Sequence, residues 1–312
     1  MNIPFIKYYK VNYLIVGILI AASIICLIKF GLNLGIDFLG GSILEVQFSV
    51  QGLPTGKAGG PASGGEIRPA NSVIQEKLNS LNLGEITIQP TGERGVILRL
   101  KNIDEATHEQ ILSSLNEISI VEEKRFESIG PAIGRELREK TIILITISLI
   151  SLLIYIAIAF RKLKWPIAGW QYGLVSIITL AIDVLIPFLV LVLLGKFYNV
   201  QFNIPIVAAL LTILGYTIND KVIVFDRVRE NLLKSKIESF TETVDQSLNQ
   251  IIGRSLSTGF CTLLVLFSIF LFGGETLKYF SLTLIIGIVV GTYTSLFIAS
   301  ALLVSWETRK RG

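Results

Sequence analysis

Charged residues are scarce in this sequence. They make up 17% of its 312 residues, whereas hydrophobic residues make up 51%. A soluble domain carries about 25% charged residues, so the composition excludes an ordinary soluble protein and predicts several helices embedded in membrane lipid. The net charge is only +4. In a membrane protein this small excess of Lys and Arg is typical of cytoplasmic loops, and it does not predict a nucleic-acid partner.

Cysteine and histidine are nearly absent. Both cysteines, Cys26 and Cys261, lie in apolar runs, so no disulfide framework is predicted. The one histidine, His108, has no second His or Cys near it in sequence; we expect a solvated helix residue and no metal site. The sequence also lacks a G-x-x-x-x-G-K-[ST] loop for nucleotide phosphates. The missing loop predicts that this chain does not use ATP, and we expect no cofactor.

What the sequence does contain is six long apolar runs. They lie at residues 13–30, 141–160, 167–194, 204–225, 254–272 and 279–304. The first could be a signal peptide, but Asn33-Leu34-Gly35 after it is a poor cleavage site, so we interpret it as an uncleaved span. An even number of spans places both termini on the same side of the membrane. Lys and Arg cluster at the span ends on that side. Because basic residues favour the cytoplasmic side, we predict that both termini are cytoplasmic.

These runs predict the domain organisation of a polytopic α-helical membrane protein with six transmembrane helices. Residues 1–30 hold the cytoplasmic N-terminus and the first span, and residues 139–306 hold a bundle of five more. Within that bundle, residues 226–253 are charged and amphipathic, which predicts a helical hairpin or a surface helix on the cytoplasmic face. Residues 307–312 form a basic cytoplasmic tail.

Residues 31–138, between the first two spans, are predicted to fold outside the membrane. In order, the predicted elements are a strand at 42–50, a helix at 72–81, strands at 85–89 and 96–100, a helix at 104–118 capped by Asp104, and a strand at 122–128. This β-α-β-β-α-β order predicts a small α+β domain of the ferredoxin-like kind. The Gly- and Pro-rich tract at 51–66 predicts a flexible loop.

The fourth apolar run carries a polar face. On a helix, four of its residues fall at i, i+4, i+7 and i+8: Thr212, Tyr216, Asn219 and Asp220. A carboxylate in the middle of a spanning helix costs about 2.5–3.5 kcal/mol, so such a residue usually faces a bundle interior and has a function. The opposite face, with Ile206, Ile213 and Val222, is apolar. We interpret the polar face as the wall of a seam, accessible to protons or ions, inside a helical bundle.

Two further charged residues lie within predicted spans. Asp183 lies near the centre of the third span, and Arg254 opens the fifth, followed on the same face by Ser257 and Thr258. We hypothesise a proton relay in which Asp220 titrates and Arg254 is its switching partner, because protonation changes which helix packing is favoured. The alternative is a static ion pair that fixes helix register. Asp183 either takes part in the relay or bonds a neighbouring Thr or backbone group.

Small residues recur every four positions in the last span. They are Gly287, Gly291, Ser295 and Ala299. This spacing lets two helix backbones approach closely, and we interpret it as a packing feature.

Four segments resemble the signature segments of the SecD/SecF family of protein-export membrane proteins. They are GIDFLGGS at 35–42, FESIGPAIGRELREK at 126–140, LLTILGYTINDKVIVFDRVREN at 210–231 and GRSLSTGFCTLL at 253–264. The resemblance covers nearly the whole chain. It implies a heterodimer with SecD, which supplies a second six-span half. It also implies that the two use the proton-motive force to help preproteins move outward through the SecYEG channel of the bacterial plasma membrane.

Motif by motif, the resemblance assigns the relay aspartate to Asp220, within an Asn219-Asp220 pair, and its arginine to Arg254. It also implies a glycine-rich motif of the external domain, formed by Gly35, Asp37, Gly40 and Gly41.

The sequence departs from the family pattern at three positions in or beside its membrane spans. Ile182 precedes Asp183 where the family often has His, which questions a histidine-assisted role for this aspartate. Lys221 follows Asp220 where the family often has Thr or Ser, and we expect it to reach the cytoplasmic surface by snorkelling. Ser257 stands where Asn is usual.

Two other functions are open at this point. A proton-coupled exporter of small molecules or lipids, of the resistance-nodulation-division type, would share the relay, although the predicted external domain is small for one. A passive binding module would hold preproteins on the external domain and use the spans only for attachment.

Overall fold

The structure is a computed structural model that describes residues 3–49, 68–81, 83–84, 86–160, 168–234 and 239–311. The predicted loop at 51–66 lies outside the described residues. The chain divides into two compact units. The external unit comprises Leu34–Lys140, and the membrane unit comprises Met1–Asn33 and Thr141–Gly312.

The chain has one long apolar helix, then a short α+β segment, and then the remaining long helices. In chain order they are α1 (Tyr9–Phe30), α2 (Ile36–Leu39), β1 (Gly41–Phe48), α3 (Asn71–Asn79), β2 (Thr87–Thr91), β3 (Gly95–Leu100), α4 (Glu105–Asn116), β4 (Val121–Ile129), α5 (Pro131–Phe160), α6 (Gly169–Tyr198), α7 (Ile204–Lys234), α8 (Phe240–Phe272), α9 (Glu275–Tyr293), a π-helix segment (Thr294–Ala299) and α10 (Ser300–Arg311).

Six helices in the described residues are long and apolar enough to cross a membrane, as the sequence predicts. The first five are α1, α5, α6, α7 and α8. The sixth span, Thr276–Arg309, combines α9, the π-helix segment and α10. A helix forms its backbone hydrogen bonds within its own segment, which is the condition for crossing lipid.

The small residues of the sixth span allow it to lie directly against α7. A Cβ atom built on Gly287 would overlap the side chain of Ile213, and one on Gly291 would overlap the side chain of Thr217. Any larger residue at these two positions would push the helices apart. The four-residue spacing therefore marks a close helix–helix contact, as the packing interpretation states.

Residues 226–253 form no separate surface helix among the described residues. Helix α7 continues to Lys234, and α8 begins at Phe240, so the charged segment belongs to the ends of two spanning helices. These ends share one apolar core, because Val228 of α7 is buried together with Val244 and Leu248 of α8.

The external unit is a four-stranded antiparallel sheet with two helices. Its strand order is β2-β3-β1-β4, and β1 pairs with both β3 and β4. Ile74 and Leu78 of α3 and Ile111 and Leu115 of α4 are buried in one core with the strands. This topology confirms the ferredoxin-like prediction. Each predicted element boundary lies within two residues of the observed one.

The prediction for His108 was wrong. Its side chain is 6% exposed, and its ring stacks on Phe126 with a centroid distance of 3.9 Å. Nδ1 lies 3.1 Å from Glu105 Oε1, and Nε2 lies 3.2 Å from Glu123 Oε2. The residue falls on the inner face of α4, three positions before Ile111, so the ring packs against the sheet instead of entering water.

Candidate functional site

The face of helix α7 that packs into the bundle is not the polar face that the sequence predicts. The side chains that it buries around the predicted site are those of Ile213, Thr217, Ile218, Asp220 and Lys221. Thr212 and Asn219 are exposed in this chain, and Tyr216 is half-buried. Burial of the apolar face through Ile206 and Ile213 stabilises the bundle more than burial of the polar face would. The predicted seam therefore lies along the outer edge of this chain, with Asp220 at its inner margin.

Lys221 does not snorkel to the surface. Its ammonium nitrogen Nζ lies 2.5 Å from Asp183 Oδ2 on α6 and 3.4 Å from Ser295 Oγ. Both charged side chains have 0% exposure. The snorkelling prediction was wrong because a carboxylate on the neighbouring helix compensates the buried charge. A buried charge without such a partner is strongly destabilising.

The sixth span changes its helical geometry beside this ion pair. The π-helix segment begins at Thr294, whose hydroxyl donates to Asp183 Oδ1. The next residue, Ser295, accepts from Lys221 and donates to the carbonyl of Gly291 at 2.6 Å. Segments of this kind are rare and frequently mark functional sites. Here the segment brings two consecutive hydroxyl groups to one ion pair.

Asp220 has far fewer partners than Asp183. Its side chain is 4% exposed, and Thr292 Oγ1 lies 3.5 Å from its Oδ2, at the limit of a hydrogen bond. Among the described residues it forms no ion pair within 4.0 Å, and in particular none with Arg254. The predicted pairing of Asp220 with Arg254 is therefore not present within this chain.

The predicted residues of α8 face outward. Arg254, Ser257 and Thr258 are all exposed. Ser257 also lines a groove of about 620 Å³ between α8 and the sixth span, together with Thr292. Thr292 carries the one hydroxyl group that contacts Asp220 within the described residues. This residue thus lies on the wall of a groove that opens to the outside of the bundle.

Two buried hydroxyl groups near Asp220 have no hydrogen-bond partner within the described residues. They are Tyr216 Oη and Thr217 Oγ1, and both lie on α7 within one helical turn of the acid. Buried polar atoms of this kind are normally satisfied by ordered water.

The glycine-rich motif of the external unit has a steric explanation. Gly40 has φ +77°, and a Cβ there would lie 2.8 Å from Pro131 Cα. Gly41 has φ +139°, and its Cβ would lie 2.8 Å from the carbonyl oxygen of Leu100. Only glycine combines these backbone angles with such close contacts. Gly35 and Asp37 belong to the short α2 turn that leads into this crossing. The motif thus joins β1 to the start of α5 and has no evident chemical role.

The sequence analysis missed the residues that surround the ion pair. Lys221 carried a signal, because it is a charge in the middle of a spanning helix, but it was assigned to the surface. Thr294 carried none, since a hydroxyl in an apolar span usually bonds its own helix backbone. No group of three or more potential metal ligands lies in the described part of the chain.

Comparison with known proteins gives a consistent result. The family described as protein export membrane protein SecD/SecF, C-terminal, matches residues 108–309, and the SecD/SecF GG motif matches residues 27–51. The chain is 39% identical to the protein translocase subunit SecF of Thermobaculum terrenum, over 98% of this chain and 95% of that protein. It is 34% identical to the SecF subunit of Vibrio alginolyticus, over 96% of this chain and 89% of that protein.

A solved structure has the same fold. The crystal structure of SecDF, a translocon-associated membrane protein from Thermus thermophilus, matches 99% of this chain with a TM-score of 0.82 and 29% identity. SecDF in its super-membrane-facing form matches 100% of the chain with a TM-score of 0.67. This chain spans only 39% of the length of each SecDF chain.

Proposed function

Because this chain belongs to the SecD/SecF family of protein-export membrane proteins, we propose that it is an accessory subunit of bacterial protein export that couples proton movement to the outward movement of preproteins. Its partner in this proposal is a SecD subunit, and the channel is SecYEG. The match to 39% of each longer SecDF chain supports a second half supplied by SecD.

One observation carries the proton-coupling part of the proposal. Asp220 is a carboxyl group that is 4% exposed in the middle of a spanning helix, and it forms no ion pair within 4.0 Å with any described residue. A permanently ionised carboxylate would be costly there, and a permanently protonated one would have no evident role. An acid that gains and loses a proton during a cycle accounts for its position. Proton loss would require a cation or water to approach, and this would change the favoured helix packing.

The outward polar face supports a membrane partner. Thr212 and Asn219 on α7 and Arg254 on α8 are exposed in this chain, although all lie within helices long enough to span lipid. Polar and charged groups within spans face a bundle interior or a water-filled cavity, and rarely face lipid. In our proposal the SecD half covers this face, and Arg254 acts on Asp220 only in the assembled complex.

The orientation of the chain follows the distribution of basic residues. We place the protein in the bacterial plasma membrane with both termini in the cytoplasm and the external unit on the opposite side, where it meets the emerging preprotein. Residues 226–253 and the tail at 307–312 then lie towards the cytoplasm.

The test is proton-driven export in membrane vesicles that contain the full chain with SecD and SecYEG. Asp220→Asn removes the titratable group with little change in shape and is expected to abolish the stimulation of export by an imposed proton gradient. Asp226→Asn is the matched control, because Asp226 lies on the same helix with its side chain 71% exposed. Full stimulation in the Asp220→Asn variant would rule out the proposed relay and leave an attached scaffold.

A further inference from the structure

The buried centre of the membrane unit contains two carboxyl groups and one ammonium group. Asp183 and Lys221 are fully buried, and Asp220 is 4% exposed. The titratable groups that face the ammonium are Asp183 from α6 and Asp220 from its own helix. The sixth span contributes hydroxyl groups here, and α8 contributes the exposed Arg254. One positive charge compensates one carboxylate, so the cluster is electrically balanced when the other carboxyl carries a proton.

The hydrogen bonds identify Asp183 as the ionised member. Its Oδ2 faces the Lys221 ammonium at 2.5 Å, and its Oδ1 accepts the hydroxyl of Thr294. Both carboxyl oxygens therefore act as acceptors, which is the behaviour of a carboxylate without a proton. The ammonium itself can only donate, and it donates to Asp183 and to Ser295 Oγ.

Asp220 is the member that lacks compensation. Its one polar contact within the described residues is the 3.5 Å approach of Thr292 Oγ1. Although Lys221 is its neighbour in sequence, consecutive side chains on a helix diverge, and Asp183 holds the ammonium. A buried carboxyl that has no cation within ion-pair distance, and whose neighbouring ammonium is already held by another carboxylate, is favoured in its neutral form.

We infer that Lys221 is a positioning residue that determines which membrane carboxyl carries the exchangeable proton: by holding Asp183 ionised, its ammonium leaves Asp220 as the proton carrier. This inference rests on the proposed function and adds a residue that the relay motif does not include. The π-helix segment supports the arrangement, because Thr294 and Ser295 hold the two charged groups in contact.

The inference predicts the number of protonated carboxyl groups in a set of variants. The wild type has one in this cluster, on Asp220. Lys221→Met removes the cation but keeps most of the side-chain volume, so Asp183 must take up a proton and the number rises to two. Asp183→Asn/Lys221→Met removes the whole pair and returns the number to one. Asp220→Asn leaves none.

The measurement is infrared spectroscopy of the carboxylic acid C=O stretch, on the full chain assembled with SecD in lipid nanodiscs. Lys234→Met is the matched control, because this lysine lies on the same helix with its side chain 73% exposed and is expected to leave the band unchanged. The double variant keeps the test informative if the single variant folds poorly, because it contains no uncompensated charge.

Two results would overturn the inference. One is a Lys221→Met band equal to that of the wild type, and the other is a wild-type band that survives Asp220→Asn. Either could occur while Asp220→Asn still abolishes proton-driven export, so a failure of this inference is distinguishable from a failure of the proposed function.

Discussion

Asp183 and Asp220 are both buried carboxyl groups within spanning helices, but their surroundings differ. Asp183 has an ammonium nitrogen 2.5 Å from one oxygen and a hydroxyl donor on the other. Asp220 has a single hydroxyl contact at 3.5 Å among the described residues. Their exposures are nearly equal, at 0% and 4%. Burial alone therefore does not identify a proton carrier; the number and charge of the partners separate a fixed carboxylate from one that is free to exchange its proton.

The largest expected effect comes from breaking the compensated pair. Asp183→Asn leaves the Lys221 ammonium buried and unpaired, and removal of one partner of a buried pair costs about 3–5 kcal/mol. Asp220→Asn removes a long hydroxyl contact and should cost less than about 1 kcal/mol. The free energy of unfolding of the full chain in mixed micelles measures both. Equal losses would mean that the two acids have equivalent surroundings.

A smaller effect should distinguish the two threonines that contact these acids. Thr294→Val removes a hydroxyl donor from an ionised carboxylate and should cost about 1.5–3 kcal/mol. Thr292→Val is the matched control, because it removes the 3.5 Å contact with Asp220, which is too long to contribute much. The same unfolding measurement applies to both variants. A larger loss for Thr292→Val would reverse the assignment of the strongly bonded acid.

Gly291 tests how closely the helices pack beside Asp183. A Cβ at this position would overlap Thr217 and would lie 3.7 Å from Asp183 Oδ2, so the glycine permits the close approach on the Asp183 side. Overpacking of this kind costs about 1–3 kcal/mol, which is the expected loss for Gly291→Ala. Gly17→Ala on α1 is the control, since no described atom beyond its chain neighbours and its own helix backbone lies within 4 Å of its Cβ position. Equal stability of the two variants would show that the contact adapts easily.

The smallest effect concerns a carboxyl group in water. The side chain of Asp104 accepts from Thr107 at the start of α4, and hydrogen bonds from Thr107 lower the pKa of this carboxyl below its usual range. The capping contribution is therefore present above the ordinary pKa of Asp and is lost as the pH falls through the lowered value. The protection of the first amides of α4 against hydrogen exchange, measured relative to their intrinsic exchange rate at each pH, should fall towards acid pH in the full chain. In Asp104→Asn this pH dependence should disappear; an unchanged profile would contradict the role of the cap.

The external unit could be predicted from the sequence because its pattern is local. Alternation in β1 and helical spacing in α3 and α4 record which side chains face the one sheet core. His108 was the exception, because the two residues of β4 that contact its ring, Phe126 and Glu123, leave no sign in the sequence around α4.

The membrane site was predictable only in part, because its partners come from distant elements. Asp220 and Asp183 were identifiable as charges within spans. The partner of Lys221 lies 38 positions away and that of Thr294 lies 111 positions away, so neither contact leaves a periodic signal. The spacing of polar residues along α7 was visible in the sequence, but the direction of that face was not, since the apolar face packs within this chain and leaves the polar face outward.

The most direct test of the account is the proton occupancy of Asp220 during energisation. The carboxylic acid infrared band that Asp220→Asn removes would be followed in vesicles that contain the full chain, SecD and SecYEG, with and without an imposed proton gradient during preprotein export. The account predicts that this band changes in amplitude when the gradient drives export, while Asp183 stays ionised throughout. A band that keeps the same amplitude under both conditions would contradict it.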